Sequence, residues 1–238
     1  MGVFQDQVVL VTGAGHSRGR SIARAFASQG AIVAANDLTP INLEETIHQI
    51  ITTGGRAKDY IFDIAKKMPV QALLEQVMED WGRLDICIHC AQVRPQAALL
   101  DMDEWDWRRT MDVNLSSAFF LIQSAGRIMR QQGSGRLVTL INIPDEEFDH
   151  AGYTAVQASK TGLIGLIFSA AQELGEYGVS VSGVVAGNYG KMIHKAVPEL
   201  VLIPGSEYMT TSDLGKTLLA HCQEPPESVH GKFLIVKD

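Results

Sequence analysis

Seven short apolar runs recur along this chain, at residues 7–12, 31–36, 57–61, 85–89, 136–141, 179–185 and 233–236. Most are nearly continuous rather than alternating, as strands are when helices cover both faces of their sheet. Helix-length stretches separate them, at 19–29, 42–53, 69–81, 104–132, 153–176 and 212–221. Gly30, Gly54-Gly55 and Gly178 stand just past the ends of three of these stretches, where a left-handed residue closes a helix. The alternation predicts an α/β fold: a Rossmann-like, doubly wound parallel sheet of seven strands with helices on both faces. No repeat, low-complexity tract or linker interrupts the 238 residues, so a single domain, 1–238, is expected.

With 46% hydrophobic and 20% charged residues, the chain has ample material for a core. A net charge of −7 argues against nucleic acid or an anionic membrane surface as a partner. No apolar run approaches the roughly 20 residues that cross a bilayer. The opening residues place no basic stretch ahead of an apolar one, and Asp6 stands where myristoylation after Gly2 would want Ser or Thr. A cytoplasmic protein is expected. Cys87, Cys90 and Cys222 are too few and too odd in number for a disulfide framework. Cys87-Ile-His-Cys90 has a redox-like spacing, but it falls at a strand end rather than a helix start, and no second ligand pair completes a zinc site.

The segment Thr12-Gly13-Ala14-Gly15-His16-Ser17-Arg18-Gly19-Arg20 joins the first strand to the first helix. Glycines there let backbone approach a pyrophosphate, and the helix N-terminus offers N–H donors and a positive dipole end. Asp37 ends the second strand, 24 residues after Gly13. A carboxylate in that place accepts hydrogen bonds from adenosine ribose hydroxyls and repels a 2′-phosphate, which favours NAD over NADP. Asp63-Ile64, after the third strand, is placed to flank the adenine.

These features, together with Leu84-Asp85, Asn114 in Asp112-Val113-Asn114-Leu115, Ala158-Ser159-Lys160 with Gly162, and the ending Gly231-Lys232-Phe233-Leu234-Ile235-Val236, make the chain resemble the short-chain dehydrogenase/reductase family over nearly its whole length. The resemblance implies NAD binding through Gly13, Ser17, Arg18, Gly19, Asp37, Asp63, Ile64, Ala91 and Lys160. It also implies a helix pair, residues 104–132 and 154–176, that joins subunits.

The departures gather where the family does its chemistry. Its turn reads T-G-x-x-x-G-x-G, and the middle glycine is Ser17 here, a side chain that narrows the room for pyrophosphate. Its N-N-A-G after the fourth strand is His89-Cys90-Ala91-Gln92, which puts Gln92 beside the nicotinamide ribose. The serine position falls at Asn142 or Ile143, and the tyrosine position is Val156, four residues before Lys160. The P-G and threonine after the sixth strand give way to Ala186-Gly187-Asn188-Tyr189-Gly190-Lys191. Carbonyl reduction needs a proton delivered to the developing alkoxide, and valine has none to give. Lys160, without its tyrosine, is left to bind ribose or to snorkel to solvent.

Tyr153 stands seven residues before Lys160, a spacing that resembles the enoyl-thioester reductase branch of the family. Gly15 with Ser21-Ile22-Ala23, and Ile88-His89, point the same way. Residues seven apart share a helix face, so Tyr153 would aim at the Lys160 pocket. Against this, that branch's second tyrosine falls at Ile143 and its Pro-Ile-x-Thr segment is missing. The loop Pro144-Asp145-Glu146-Glu147-Phe148-Asp149-His150 carries four carboxylates, which disfavour an anionic CoA thioester close by; it reads as a solvated or partner-facing patch, and no metal site is expected. No serine sits on a G-x-S-x-G elbow.

Three readings stay open. One is a catalytically silent subunit supporting an active homologous subunit, through helices 104–132 and 154–176, in a heteromeric (tetrameric) NAD-dependent dehydrogenase of the 3-hydroxyacyl-CoA type, as in anaerobic toluene (benzylsuccinate) breakdown. The second is an active NAD(H)-dependent oxidoreductase, of enoyl-thioester or carbonyl reductase type, using Tyr153, Lys160 and Asn114. The third is a non-catalytic dinucleotide sensor.

Overall fold

The structure, a computed structural model, describes residues 2–142, 151–186 and 214–236. Strands β1 (Val8–Thr12), β2 (Ile32–Asp37), β3 (Arg56–Ile61), β4 (Ile86–His89), β5 (Gly135–Asn142), β6 (Val179–Ala186) and β7 (Phe233–Val236) form one sheet in the order β3-β2-β1-β4-β5-β6-β7. Every pairing is parallel. The order reverses between β1 and β4, which opens a crevice beyond the carboxyl ends of those two strands; ligands bind at such a switch point in doubly wound sheets. The expected α/β architecture with seven strands is therefore present, with strand bounds displaced by at most one residue.

Helices α1 (Ser17–Ser28), α2 (Pro40–Thr52), α3 (Lys67–Trp81), α4 (Glu104–Met111), α5 (Ser117–Gln132), α6 (Thr154–Leu174), α7 (Leu214–Gln223) and α8 (Pro226–Val229) connect the strands. Apolar side chains divide into two cores, one on each face of the sheet. One holds Leu73, Leu74, Leu121, Leu163 and Phe233; the other holds Ile22, Phe26, Leu43, Ile50 and Leu218. Each such side chain contributes about 1.5–3 kcal/mol by leaving water. The fully buried β1 needs both cores, which is why its sequence shows no alternation. Gly30, Gly54 and Gly178 take φ values of +87°, +81° and +74°, as their places past helix ends require.

Two stretches differ from expectation. Residues 104–132 are not one α-helix: Asp112–Ser116 forms a π-helical turn between α4 and α5. Hydrophobic periodicity reports which residues face inward, not the one-residue bulge that shifts the hydrogen bonds, so the sequence pattern passes over it. The α8 turn, which opens on Pro226, was not anticipated; four residues are too few for a helical period. The helix expected at 212–221 runs to Gln223, and its first two expected residues lie outside the described ones. Among the described residues, no helix is long and apolar enough to cross a membrane.

Candidate functional site

The crevice at the switch point is a cavity of about 550 Å³. Gly13, Ser17, Arg18, Gly19, Asp37, Asp63, Ile64 and Ala91, all expected from the sequence, line it. So do Leu38, Gln92, Arg94 and Arg109. The turn that floors it tolerates no side chains at its glycines. Gly13 has φ +68°, and a Cβ there would stand 2.9 Å from Ala91 backbone; a Cβ on Gly19 would stand 2.2 Å from the Gly13 carbonyl oxygen. Arg20 clamps the turn from outside, donating through Nε to Thr46 Oγ1 (2.9 Å) and through Nη2 to the carbonyls of Gly15 (2.8 Å) and Asn42 (2.9 Å). Helix α1 begins without a side-chain cap, and its first residues, Ser17, Arg18 and Gly19, line the cavity. Ser17, the first residue of α1, is exposed, and its small side chain leaves the cavity open.

Asp37 is buried, and its carboxylate accepts from the Gly15 N–H (3.0 Å) and the Thr39 N–H (3.1 Å). Two donors fix its orientation and leave further lone pairs free. Asp63 accepts from Ala65 N–H at 3.1 Å and stands 3.9 Å from Arg109 and 4.0 Å from Lys66.

Lys160 is 1% exposed and is not among the residues lining the cavity; of the two expectations for it, burial rules out snorkelling to solvent. Burial, with Arg94 and Arg18 nearby, lowers its ammonium to about 7. His89 lies beneath the same region, with Nδ1 3.1 Å from Thr12 Oγ1 and Nε2 3.3 Å from Ser117 Oγ. Burial and then the Lys160 charge hold its imidazole down at about 3, so it is neutral. Thr12 Oγ1 also accepts from the Cys90 N–H at 3.2 Å, which ties the end of β4 to the glycine turn.

Asn114 sits in the π-helical turn. Its Oδ1 accepts from Val93 N–H (2.8 Å), and its Nδ2 donates to Val93 C=O (3.0 Å) and Ser159 Oγ (3.1 Å). These side-chain bonds hold the segment after β4 against α6. Val156 is fully buried, and Ser159 Oγ donates to its carbonyl at 2.8 Å. Asn142, at the end of β5, is buried with its Nδ2 lacking a hydrogen-bond partner. Tyr153 caps α6 as its N-cap, with φ −109° and ψ 25°, so it precedes the helix and is not among the residues described as lining the cavity. Ile143, the acidic loop 144–150, and Gly187 to Lys191 lie outside the described residues. Among the described residues no cluster of three His, Cys, Asp or Glu side chains could hold a metal. The three cysteines are free thiols.

Sequence reasoning did not single out Arg94, Arg109 or the clamp Arg20. For Arg94 a signal existed: it follows Gln92, where the family's glycine is lost.

This geometry carries a family assignment. The short chain dehydrogenase family model matches residues 7–198, and the chain belongs to that family. It is 30% identical over 243 residues (99% of this chain, 96% of the relative) to the (2S)-[(R)-hydroxy(phenyl)methyl]succinyl-CoA dehydrogenase subunit BbsD of Thauera aromatica. It is 31% identical over 221 residues (89% of this chain, 84% of the relative) to human (3R)-3-hydroxyacyl-CoA dehydrogenase. A metagenomic short-chain oxidoreductase solved in complex with NADP superposes with a TM-score of 0.82 at 25% identity, covering 98% of this chain and 97% of the other.

Proposed function

We propose that this chain is a catalytically silent short-chain dehydrogenase subunit that supports an active homologous subunit in a heteromeric NAD-dependent dehydrogenase of the 3-hydroxyacyl-CoA type. The observation that carries this reading is a buried Val156 at the family's tyrosine position, four residues before a buried Lys160. No described side chain on the cavity wall is a tyrosine or serine placed to protonate an alkoxide, since Ser17 belongs to the opposite, glycine-turn end. The names of two relatives, a (2S)-[(R)-hydroxy(phenyl)methyl]succinyl-CoA dehydrogenase subunit and a (3R)-3-hydroxyacyl-CoA dehydrogenase, support the substrate class of the complex.

The residues at the adenosine and turn end suit a dinucleotide: close backbone approach at Gly13 and Gly19, the N-terminus of α1, and the carboxylate of Asp37, which favours NAD over NADP. Bound there, NAD would supply a hydride acceptor; this chain's own residues would hold its adenosine and phosphates. The partner-facing surface is the pair of helices expected from the sequence, 104–132 and 154–176. A groove of about 290 Å³ between α5 and α6, lined by Phe119, Ile122, Gly126, Leu166, Ala170 and Leu174, supports it, with Phe119 left 44% exposed. Soluble, cytoplasmic life as a single domain, without nucleic-acid or membrane partners, completes the proposal.

The test is hydride transfer by the purified chain supplied with NAD and 3-hydroxyacyl-CoA substrates. No NADH should form until the active homologue is added. Turnover by the isolated chain that vanished in Tyr153→Phe would instead establish the second reading, an oxidoreductase built on Tyr153 and Lys160.

A further inference from the structure

The segment that leads from β4 into α4 carries large apolar side chains that neither core includes. Leu99 is 66% exposed, Leu100 96% and Trp105 67%. Single exposed apolar residues are ordinary, but two leucines and a tryptophan so close in sequence make a patch. The backbone fixes them there. The Ala97 N–H donates to the Gly152 carbonyl (2.9 Å) and the Asp101 N–H to that of Ala98 (3.0 Å), which holds the turn bearing the leucines. Asp103 then caps α4, its Oδ1 accepting from the Trp105 N–H at 2.7 Å. Helical side chains lean toward the N-terminus, which turns Trp105 toward that turn. Acids rim the patch: Asp101, Asp103 and Glu104 are exposed and Asp106 half-buried. Glu104 holds Arg108 at 2.6 Å, and Arg109 stands 3.9 Å from Asp63. The Asp101 and Asp106 carboxylates make no hydrogen bond or ion pair among the described residues.

We propose that this patch docks a basic amphipathic segment of a partner protein, with apolar side chains on Leu99, Leu100 and Trp105 and lysines or arginines against Asp101 and Asp106. The inference goes beyond the scaffold role and concerns a different surface. Trp105 precedes Phe119, at the α5–α6 groove, by 14 residues, about 21 Å of helix rise. Charge selects the occupant. A second copy of this chain docked patch to patch would set each acidic rim against itself across a two-fold axis, and like charges so placed oppose association. Nucleic acid, anionic membranes and acidic carrier domains are repelled for the same reason. A cationic segment gains twice: its charges meet the unpaired carboxylates, and a guanidinium stacks on an exposed indole. Tryptophan and arginine are also the side chains that most often anchor protein interfaces.

Fluorescence anisotropy of short labelled peptides titrated with the full chain tests this. One peptide places leucine and lysine at amphipathic helical spacing; a second has glutamate for lysine, and a third serine for leucine. The leucine–lysine peptide should bind about tenfold more tightly than either of the others and weaken as salt is raised. Leu100→Ser and Trp105→Ala, both at exposed positions, should each cost about tenfold in affinity with the urea midpoint unchanged. Asp101→Lys combined with Asp106→Lys should cost as much. The proposal is overturned if the serine–lysine peptide binds as well as the leucine–lysine one, since charge alone would then suffice. Binding indifferent to Leu100→Ser and Trp105→Ala overturns it too, as does no peptide binding at all, and both leave the scaffold reading intact. Self-association, or binding to phosphatidylcholine vesicles, that disappears in Leu100→Ser would give the patch to a second copy or to a membrane and overturn it as well. NADH formation by the isolated chain would sink the scaffold reading and leave this one standing.

Discussion

At Lys160 burial outweighs every compensating contact. An ammonium lowered from 10.5 to about 7 destabilises the folded state when charged, by about 5 kcal/mol if the whole shift is realised. The unfolded chain holds this proton up to 10.5 and the folded chain only to about 7, so this residue makes stability rise with pH across that window. Lys160→Met should remove that rise: the variant's gain over the native chain is largest at pH 6 to 7 and shrinks as pH climbs, read by urea unfolding at several pH values. A gain that does not change with pH would contradict the buried charge. His89 works on the acid side. Its imidazole titrates at about 3 folded and 6.5 unfolded, so the stability it contributes is present above pH 6.5 and is lost as pH falls toward 3. Gly19→Ala should cost about 1–3 kcal/mol, because its Cβ would meet the backbone oxygen of Gly13 at 2.2 Å; full retention of the urea midpoint would refute that contact. Gly13, Gly19 and Asp37 were legible from sequence because a close approach and a strand-end carboxylate each demand one residue type. Lys160 was not. Its type announces a charge, and only the packing above it decides whether that charge finds water.

The glycine turn with α1, and the π-helical turn between α4 and α5, set the two walls of the crevice. The first follows from a local pattern and was readable. The second rests on Asn114 tying Val93 to Ser159, three segments distant in sequence, so no window of residues displays it. The same limit applies to the start of α6: periodicity opened the helix at Tyr153, whereas it begins at Thr154 with Tyr153 as its N-cap. Helices α5 and α6 present the groove around Phe119. Phe119→Glu should weaken subunit association at least tenfold while moving the unfolding midpoint of the free chain little, since the ring is 44% exposed there. Native mass spectrometry with the homologous subunit reads the first effect and urea unfolding the second; an undisturbed assembly would place the interface elsewhere.

For the whole molecule, the seven-stranded parallel sheet is what the alternation of apolar runs demanded, and its switch point fixes where a ligand can lie. The fold stands whatever occupies the tyrosine position, because neither core cluster on the two sheet faces includes Val156 or Lys160. A silent subunit keeps the sheet, the turn and the joining helices and has no further use for the tyrosine. The most direct measurement is NADH formation by the assembled complex in which this chain alone carries Tyr153→Phe and Lys160→Ala. The account predicts kcat within twofold of the native complex, with assembly verified by native mass spectrometry. A loss of tenfold or more in an intact complex would mean that this chain takes part in the chemistry after all.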